Sequence, residues 1–170
     1  MALAVAETLR GAACERVIFV SLASARDADS VLAAIAVALG VPGGTHRALV
    51  ASLAEALAGG SHLLVLDGFD RVVPVGPDLA ALAARCPGLK VLVTSREVLQ
   101  VYGEHMVTVT PLGVPSPSDV AAGREPDVGA WLRRFPALDL FVERARATRH
   151  DFAVTVDDLP SIATICARLD

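Results

Sequence analysis

The sequence is poor in lysine, aromatic residues and cysteine, and each shortage narrows the classes of protein to which the chain can belong. Lys90 is the single lysine among 15 basic residues, so every other cation is an arginine. Aromatic residues make up 4% of the chain, so the core must be built mainly from alanine, valine and leucine. The three cysteines, Cys14, Cys86 and Cys166, are too widely spaced for a zinc-binding or CxxC pattern, which favours buried free thiols.

Long apolar runs and an excess of positive charge are also missing. No uninterrupted apolar run reaches the roughly 18 residues of a membrane span, so we expect no membrane association. The net charge of −4 and the isoelectric point of about 5.5 argue against direct nucleic-acid binding by this segment. The first residues, Met1 to Glu7, lack the basic stretch of a secretory signal, which predicts a cytoplasmic location.

Along the chain, short apolar stretches typical of strands alternate with segments whose apolar residues recur at helical spacing. Its 170 residues are 54% hydrophobic, enough for one α/β domain or one domain plus a fragment. The predicted strands are Arg16–Leu22, Leu63–Asp67, Leu89–Thr94 and His105–Thr110. The predicted helices are Met1–Leu9, Ser30–Leu39 capped by Asp27 or Asp29, Arg47–Ala58, Asp78–Arg85 capped by Asp78, Ala137–Arg149, and one running from Asp157 or Asp158 to Leu169.

This order predicts an α/β fold with a parallel sheet flanked by helices, because parallel strands need helical crossovers. The α/β domain is expected to occupy residues 1–110. A proline-rich linker follows over 111–129, and residues 130–170 form the start of a helical subdomain.

The stretch Leu-Leu-Val-Leu-Asp-Gly-Phe-Asp, residues 63–70, carries the strongest chemical signal. Four apolar residues run directly into Asp67, as in a strand buried on both faces. Ligands of open α/β sheets bind outside the carboxyl ends of the strands. Nucleoside-triphosphatases hold Mg²⁺ at this position through the carboxylate or a bound water, an arrangement known as Walker B.

A second strand end carries Thr94, Ser95 and Arg96. If its strand and that of Asp67 are neighbours, a carboxylate and a guanidinium meet at one crevice. Such a pair suits a metal ion and a terminal phosphate. The alternative is that Arg96 forms a salt bridge to Asp67, Glu97 or Asp70, or is simply a solvated loop residue.

Several stretches together resemble one known family. The stretch around Asp67, followed by Leu-Ala-Ala-Leu-Ala-Ala-Arg-Cys-Pro-Gly-Leu-Lys-Val-Leu-Val-Thr-Ser-Arg-Glu-Val-Leu at 79–99, is similar to the NB-ARC-type module of STAND signalling ATPases. The large bacterial transcriptional regulators of the SARP and LuxR type carry this module. Phe-Val-Ser-Leu-Ala at 19–23 and Phe-Val-Glu-Arg-Ala-Arg-Ala at 141–147 resemble it too. The likeness covers nearly the whole chain in order, and it implies a P-loop NTPase-like sheet followed by a helical subdomain.

The resemblance implies a role for each residue at the two strand ends. Asp67 would be the acid associated with Mg²⁺ through water. Arg96 would be the sensor arginine that contacts the terminal phosphate, placed by Thr94 and Ser95. The position after Asp67 often carries an acid or amide in the family, but here it is glycine, so Asp70 is the remaining candidate for a catalytic acid.

Two family motifs are absent from this sequence. It contains no G-x-x-x-x-G-K-[ST] phosphate-binding loop and no Gly-Leu-Pro-Leu motif. The resemblance places the loop and its strand just ahead of the first residues, with that strand beside the strand of Thr94. Mg²⁺ and ATP or ADP are therefore expected cofactors of an intact parent, and this chain alone is expected to bind no cofactor and to be inactive as an ATPase. A missing interior strand would make the chain marginal, self-associating through open sheet edges, or rearranged to close the gap.

Three functional hypotheses follow. The first is a piece of a nucleotide-dependent switch in a transcriptional regulator. The second is a non-enzymatic interaction module on a degenerate NTPase scaffold. The third, an unrelated flavodoxin- or receiver-type domain, lacks the acid cluster expected after the first strand and ranks last.

Overall fold

The computed structural model describes residues 2–11, 14–116, 118–119 and 127–169, and the chain divides into two compact units, residues 1–106 and 107–170. The helices of the first unit are α1 Ala2–Leu9, α2 Ala28–Leu39, α3 His46–Leu57 and α4 Gly76–Arg85. Its strands are β1 Arg16–Ser21, β2 His62–Asp67 and β3 Leu89–Val93. The α/β fold with a parallel sheet flanked by helices, predicted from the sequence, is confirmed.

The three strands form one parallel sheet in the order β1-β2-β3. The register pairs Ser21 with Asp67 at one end of the β1–β2 ladder, and Leu66 with Val93 in the β2–β3 ladder. The carboxyl ends of all three strands therefore lie along one edge of the sheet. Because β2 pairs with both neighbours, it has no unpaired side.

The central strand β2 is buried on both faces, as its uninterrupted apolar run predicts. Leu64 and Leu66 belong to the main core with residues of α2, α3 and α4. Leu63 and Val65 face a smaller cluster that includes Ala6 of α1. Alternate residues of a strand point to opposite faces, so helices are needed on both sides of this sheet.

The ends of α2 follow the rules of helix capping. The Asp27 carboxylate accepts a hydrogen bond from the backbone N–H of Ser30, and the Ser30 hydroxyl completes a capping box. The helix ends at Gly40, whose φ of 74° lies in the left-handed region that glycine adopts without strain.

Two expectations about local structure are wrong. Asp78 does not cap α4, because the helix already begins at Gly76 with Pro77 in its first turn, which leaves Asp78 inside that turn. The residues from His105 to Thr110 alternate like a strand but pair with none of the described strands, and Met106, Val107 and Val109 are exposed. Alternating apolar and polar residues form a strand only where a neighbouring strand can pair with them and a core can bury their apolar side.

The α-helices of the second unit whose bounds the structure describes are α5 Val128–Arg134, α6 Pro136–Thr148 and α7 Leu159–Leu169, and a 3-10 helix, Val156–Asp158, directly precedes α7. Its core joins Trp131 and Phe135 of the α5 region, Leu138 of α6, and Leu159 and Ile162 of α7. Residues 117 and 120–126 of the predicted linker lie outside the described part, and α5 begins inside the linker's predicted span. The domain boundaries stay predictions.

No helix within the described ranges combines the length and the apolar character needed to cross a bilayer.

Candidate functional site

The predicted site lies at the carboxyl ends of β2 and β3, which are adjacent in the sheet. Asp67 is the last residue of β2, and Thr94 directly follows β3. The backbone N–H of Thr94 donates to the carbonyl of Leu66 at 3.0 Å, which continues the strand ladder one step further. The pairing of the two strands thus brings both strand-end motifs to one place.

A hydroxyl–carboxylate contact joins the two strand ends. The Thr94 hydroxyl donates to Oδ1 of Asp67 at 2.8 Å and accepts a hydrogen bond from the backbone N–H of Gly68 at 2.9 Å. Asp67 itself is exposed. Within the described residues, no cationic side chain pairs with it and its second carboxylate oxygen has no hydrogen-bond donor.

The chain turns sharply after Asp67. Gly68 has φ 79° and ψ 51°, a left-handed conformation that a residue with a side chain adopts only at a cost. A short 3-10 turn, Phe69–Arg71, follows, and its first backbone N–H donates to the carbonyl of Thr94 at 2.9 Å. The Phe69 side chain is fully buried, which fixes the turn to the core.

The turn places Asp70 against the segment after β3. Oδ1 of Asp70 accepts hydrogen bonds from the backbone N–H of Arg96 at 2.6 Å and from Nε of Arg96 at 3.4 Å. The backbone N–H of Arg96, aided by the charge and hydrogen bond of its guanidinium, lowers the pKa of Asp70 below its usual value against the opposing effect of burial. Of the three salt-bridge partners open to Arg96, the structure selects Asp70.

The guanidinium of Arg96 remains accessible. The Arg96 side chain is 89% exposed, against 29% for that of Asp70. Ser95 is half-buried, and its hydroxyl accepts a hydrogen bond from the backbone N–H of Glu97 at 3.1 Å. Ser95 therefore shapes the turn that carries Arg96 and makes no contact with Asp67.

The structure brings together Asp67, Thr94, Asp70 and Arg96, but as two separate pairs. The sequence motifs did not show this division. It depends on the left-handed conformation of Gly68, which turns the chain between Asp67 and Asp70. An Asp-Gly dipeptide after a buried strand is the signal that could have indicated it, since such dipeptides favour tight turns.

The donor set fits a magnesium ion better than it fits a nucleotide. Asp67 offers an accessible carboxylate oxygen, and Mg²⁺ needs only one or two protein carboxylates when water and phosphates supply its other ligands. Over the described ranges, no three His, Cys, Asp or Glu side chains are grouped to hold a metal by themselves. For phosphates, the described residues around Asp67 offer no comparable set of donors, since Lys90 lies near the start of β3, at the opposite end of the strand from Thr94.

Comparison with known proteins gives distant relatives only. No family model matches the chain, and no solved structure matches it significantly. An uncharacterized protein of Mycobacterium tuberculosis is 30% identical over 150 residues, which cover 88% of this chain and 33% of the relative, and one of Mycobacterium bovis matches equally. A protein of Mycobacterium tuberculosis named "Putative HTH-type transcriptional regulator" is 27% identical over 169 residues, 99% of this chain.

The chain spans about a third of the length of the first relatives and 17% of the HTH-type protein. It is thus distantly similar, along nearly its whole length, to one segment of a much longer protein whose name is that of a transcriptional regulator.

Proposed function

We propose that this chain is a switch segment of a nucleotide-dependent transcriptional regulator of the STAND type. The observation that carries the proposal is the hydrogen bond between Thr94 and Asp67 across two adjacent strand ends, with Arg96 two residues further along. This arrangement sets an exposed carboxylate and an accessible guanidinium on one edge of the sheet. The similarity to the HTH-type protein over 99% of the chain supports the regulatory context.

Each residue of the site has a distinct proposed role. Asp67 would hold Mg²⁺ through water, and the Thr94 hydroxyl orients its carboxylate. Arg96, positioned by the turn through Ser95, would neutralise charge on a terminal phosphate. A bound magnesium ion would supply charge neutralisation between phosphates. Gly68 provides no side chain to orient an attacking water, and Asp70 is engaged with Arg96, so we expect slow hydrolysis or none.

The phosphate-binding loop would have to come from elsewhere in the parent protein. Its lysine and its backbone N–H groups bind the phosphates in this class of protein, and nothing in the 170 residues replaces them. We therefore propose that Mg²⁺ with ATP or ADP binds the longer protein, and that this chain alone binds neither and has no ATPase activity.

Calorimetric titration of the chain with Mg-ATP and with Mg-ADP tests this proposal. We expect no heat of binding from the 170 residues. In a longer protein that includes the reading frame upstream of Met1, we expect binding that Asp67→Asn weakens and that Asp78→Asn, a control in the first turn of α4, leaves unchanged. Micromolar binding by the short chain, lost in Asp67→Ala, would show that the loop is not required. An upstream frame without Gly-x-Gly-Lys-Thr would remove the switch proposal.

One observation favours the second candidate, a non-enzymatic interaction module. The three described strands form one continuous parallel sheet, in which β2 and β3 pair directly over five residue pairs. A scaffold whose strands pair in this way can be stable without the nucleotide-binding strand, which the resemblance places beside the strand of Thr94. Failure of the longer protein to bind nucleotide, together with retained folding, would support this candidate.

We further infer that the chain can self-associate, because β1 and β3 each have an outer edge without a strand partner among the described residues. We also propose that the protein is cytoplasmic, that it contacts no membrane, and that this segment does not bind nucleic acid directly. These properties suit a regulatory role. Sedimentation equilibrium at two protein concentrations tests the self-association, and a monomer at both concentrations would contradict it.

A further inference from the structure

The segment that follows β3 contains one backbone conformation that its residue does not favour. Gln100 has φ 56°, in the left-handed region, and is the only non-glycine residue with a positive φ in the described part of the chain. A residue with a Cβ adopts this region at a cost, so other contacts must hold it there. Backbone strain of this kind persists only where the surrounding structure imposes it.

The carboxylate of Glu104 holds Gln100 from both sides. Its Oε1 accepts a hydrogen bond from the backbone N–H of Leu99 at 3.1 Å, and its Oε2 accepts one from the backbone N–H of Val101 at 3.4 Å. The backbone N–H of Glu104 in turn donates to the carbonyl of Val101 at 3.2 Å. One half-buried side chain thus closes residues 99–104 into a turn, which we call the Glu104 strap.

The Glu104 strap packs onto the start of α4. Leu99 contacts the main core, and a Cβ added at Gly76 would lie 3.1 Å from Cγ1 of Val101 and 3.5 Å from Cβ of Leu99. Glycine at the first position of α4 therefore allows the close approach of the strap. The segment after β3 is thus fixed at two points, by the hydrogen bonds of Thr94 at the strand end and by the strap.

Arg96 lies between these two fixed points, two residues after Thr94 and three before Leu99. Its backbone N–H donates to Oδ1 of Asp70 at 2.6 Å, a contact that depends on the position of the backbone. The Arg96 side chain is 89% exposed, so side-chain packing does not fix this residue. The anchors at the two ends of the short span do so instead.

We propose that Glu104 is a positioning residue: through the strained turn at Gln100 it holds the backbone of Arg96 against Asp70, and release of the strap is a second state of this segment. The regulatory meaning of that state rests on the proposed function, in which Arg96 contacts a terminal phosphate. The strap ends two residues before residue 106, the last of the first unit. A displacement of the chain beyond that residue would therefore reach Glu104 before it reached Arg96.

An NMR titration of the Asp70 carboxyl group in the intact chain tests this role. The backbone N–H of Arg96 is the main cause that lowers the pKa of Asp70. In Glu104→Gln, the side chain keeps one acceptor oxygen and turns an NH₂ group toward the second backbone donor. We expect the pKa of Asp70 to rise toward its ordinary value. Hydrogen exchange of the two amides bound by the strap should become about three- to tenfold faster, as for the loss of one hydrogen bond.

Two substitutions at Gln100 test the strain independently of any carboxylate. Gln100→Val introduces a β-branched residue that the left-handed region does not accommodate, so it should open the strap and raise the pKa of Asp70 as well. Gln100→Gly removes the conformational cost. Combined with Glu104→Gln, it should return the pKa of Asp70 toward the wild-type value, a rescue that a purely structural role of Glu104 would not give.

Glu97→Gln is the matched charge control. Glu97 is next to Arg96 in the chain but lies outside the strap. Loss of a negative charge by itself lowers the pKa of a neighbouring acid, so the rise expected in Glu104→Gln has the opposite sign to a charge effect. We expect no rise in the pKa of Asp70 in Glu97→Gln.

Asp27 and Asp158 are internal references, because local hydrogen bonds of their own lower their pKa values. Both values should stay unchanged in every variant. A pKa of Asp70 that stays lowered in Glu104→Gln and Gln100→Val would overturn the proposal, as would shifts of equal size in all three aspartates. These readouts need no nucleotide, so a regulator that proves unable to bind ATP would contradict the proposed function while leaving the coupling intact.

Discussion

Thr94 connects the two strand ends through a single hydroxyl. Thr94→Val preserves the shape of the side chain but leaves the Gly68 N–H without its acceptor and Asp67 without its donor. We expect a loss of about 1–2 kcal/mol in the free energy of unfolding, measured by urea denaturation. Thr94→Ser, which retains the hydroxyl, should lose clearly less. Equal losses in the two variants would show that the methyl group and not the hydroxyl stabilises this region.

Asp70 makes the folding stability of the chain depend on pH. Its pKa is lowered in the folded chain by the backbone N–H and guanidinium of Arg96, so its contribution to stability is present above the ordinary carboxyl pKa near 4. That contribution should disappear as the pH falls through the lowered, folded-state value. Asp70→Asn should therefore reduce stability at neutral pH and flatten the acid limb of the stability profile, measured by urea denaturation between about pH 2 and 7. Asp78→Asn is the matched control, and an unchanged acid limb in Asp70→Asn would contradict the assignment.

Helix caps provide a comparison at the level of single elements. The Asp27 carboxylate caps α2, whereas Thr45, at the equivalent position of α3, makes no side-chain capping bond. Asp27→Ala should thus lower the free energy of unfolding measurably, and Thr45→Ala should leave it almost unchanged. Circular dichroism during urea unfolding of the two variants gives both values. A loss in Thr45→Ala as large as that in Asp27→Ala would mean that side-chain capping does not explain the difference.

Elements whose signal lies within their own residues were predictable from the sequence. The uninterrupted apolar run of β2 and the periodic stripe of α2 need no knowledge of neighbours, and both form where the pattern predicts. His105–Thr110 and α5 show the limit of this approach. The alternating segment His105–Thr110 has no neighbouring strand in the part of the chain that the structure describes. Helix α5 follows a proline-rich stretch and is buried through Trp131, which packs with α6 and α7. In both cases the decisive term is tertiary, and the sequence pattern does not contain it.

The same reasoning applies to the site. Neighbouring carboxyl ends in a parallel sheet predict that the strand end of Asp67 lies beside that of Thr94 and Arg96, and Asp67 is hydrogen-bonded there to Thr94 but not to Arg96. The choice of Asp70 for Arg96 depends on the conformation of Gly68, with φ 79°, which a residue pattern does not specify. Sequence thus predicts the location of the polar residues better than their pairing.

At the scale of the whole molecule, the chain contains two compact units with separate cores. Leu53 of α3 is fully buried in the first core, and Leu138 of α6 in the second unit. Each unit encloses apolar side chains of its own, and so each should lose stability when its own core is damaged.

The single tryptophan makes this testable, because Trp131 lies in the second unit and its fluorescence reports on that unit alone. Leu138→Ala should lower the urea midpoint of the fluorescence transition, in line with a loss of about 2–5 kcal/mol. Leu53→Ala should leave the midpoint of the fluorescence transition unchanged within experimental error. It should shift the circular-dichroism transition of the first unit, followed in the far ultraviolet, to lower urea concentration. If Leu53→Ala shifts the Trp131 transition as much as Leu138→Ala does, the two units unfold as one, which would contradict independent unfolding of the two cores.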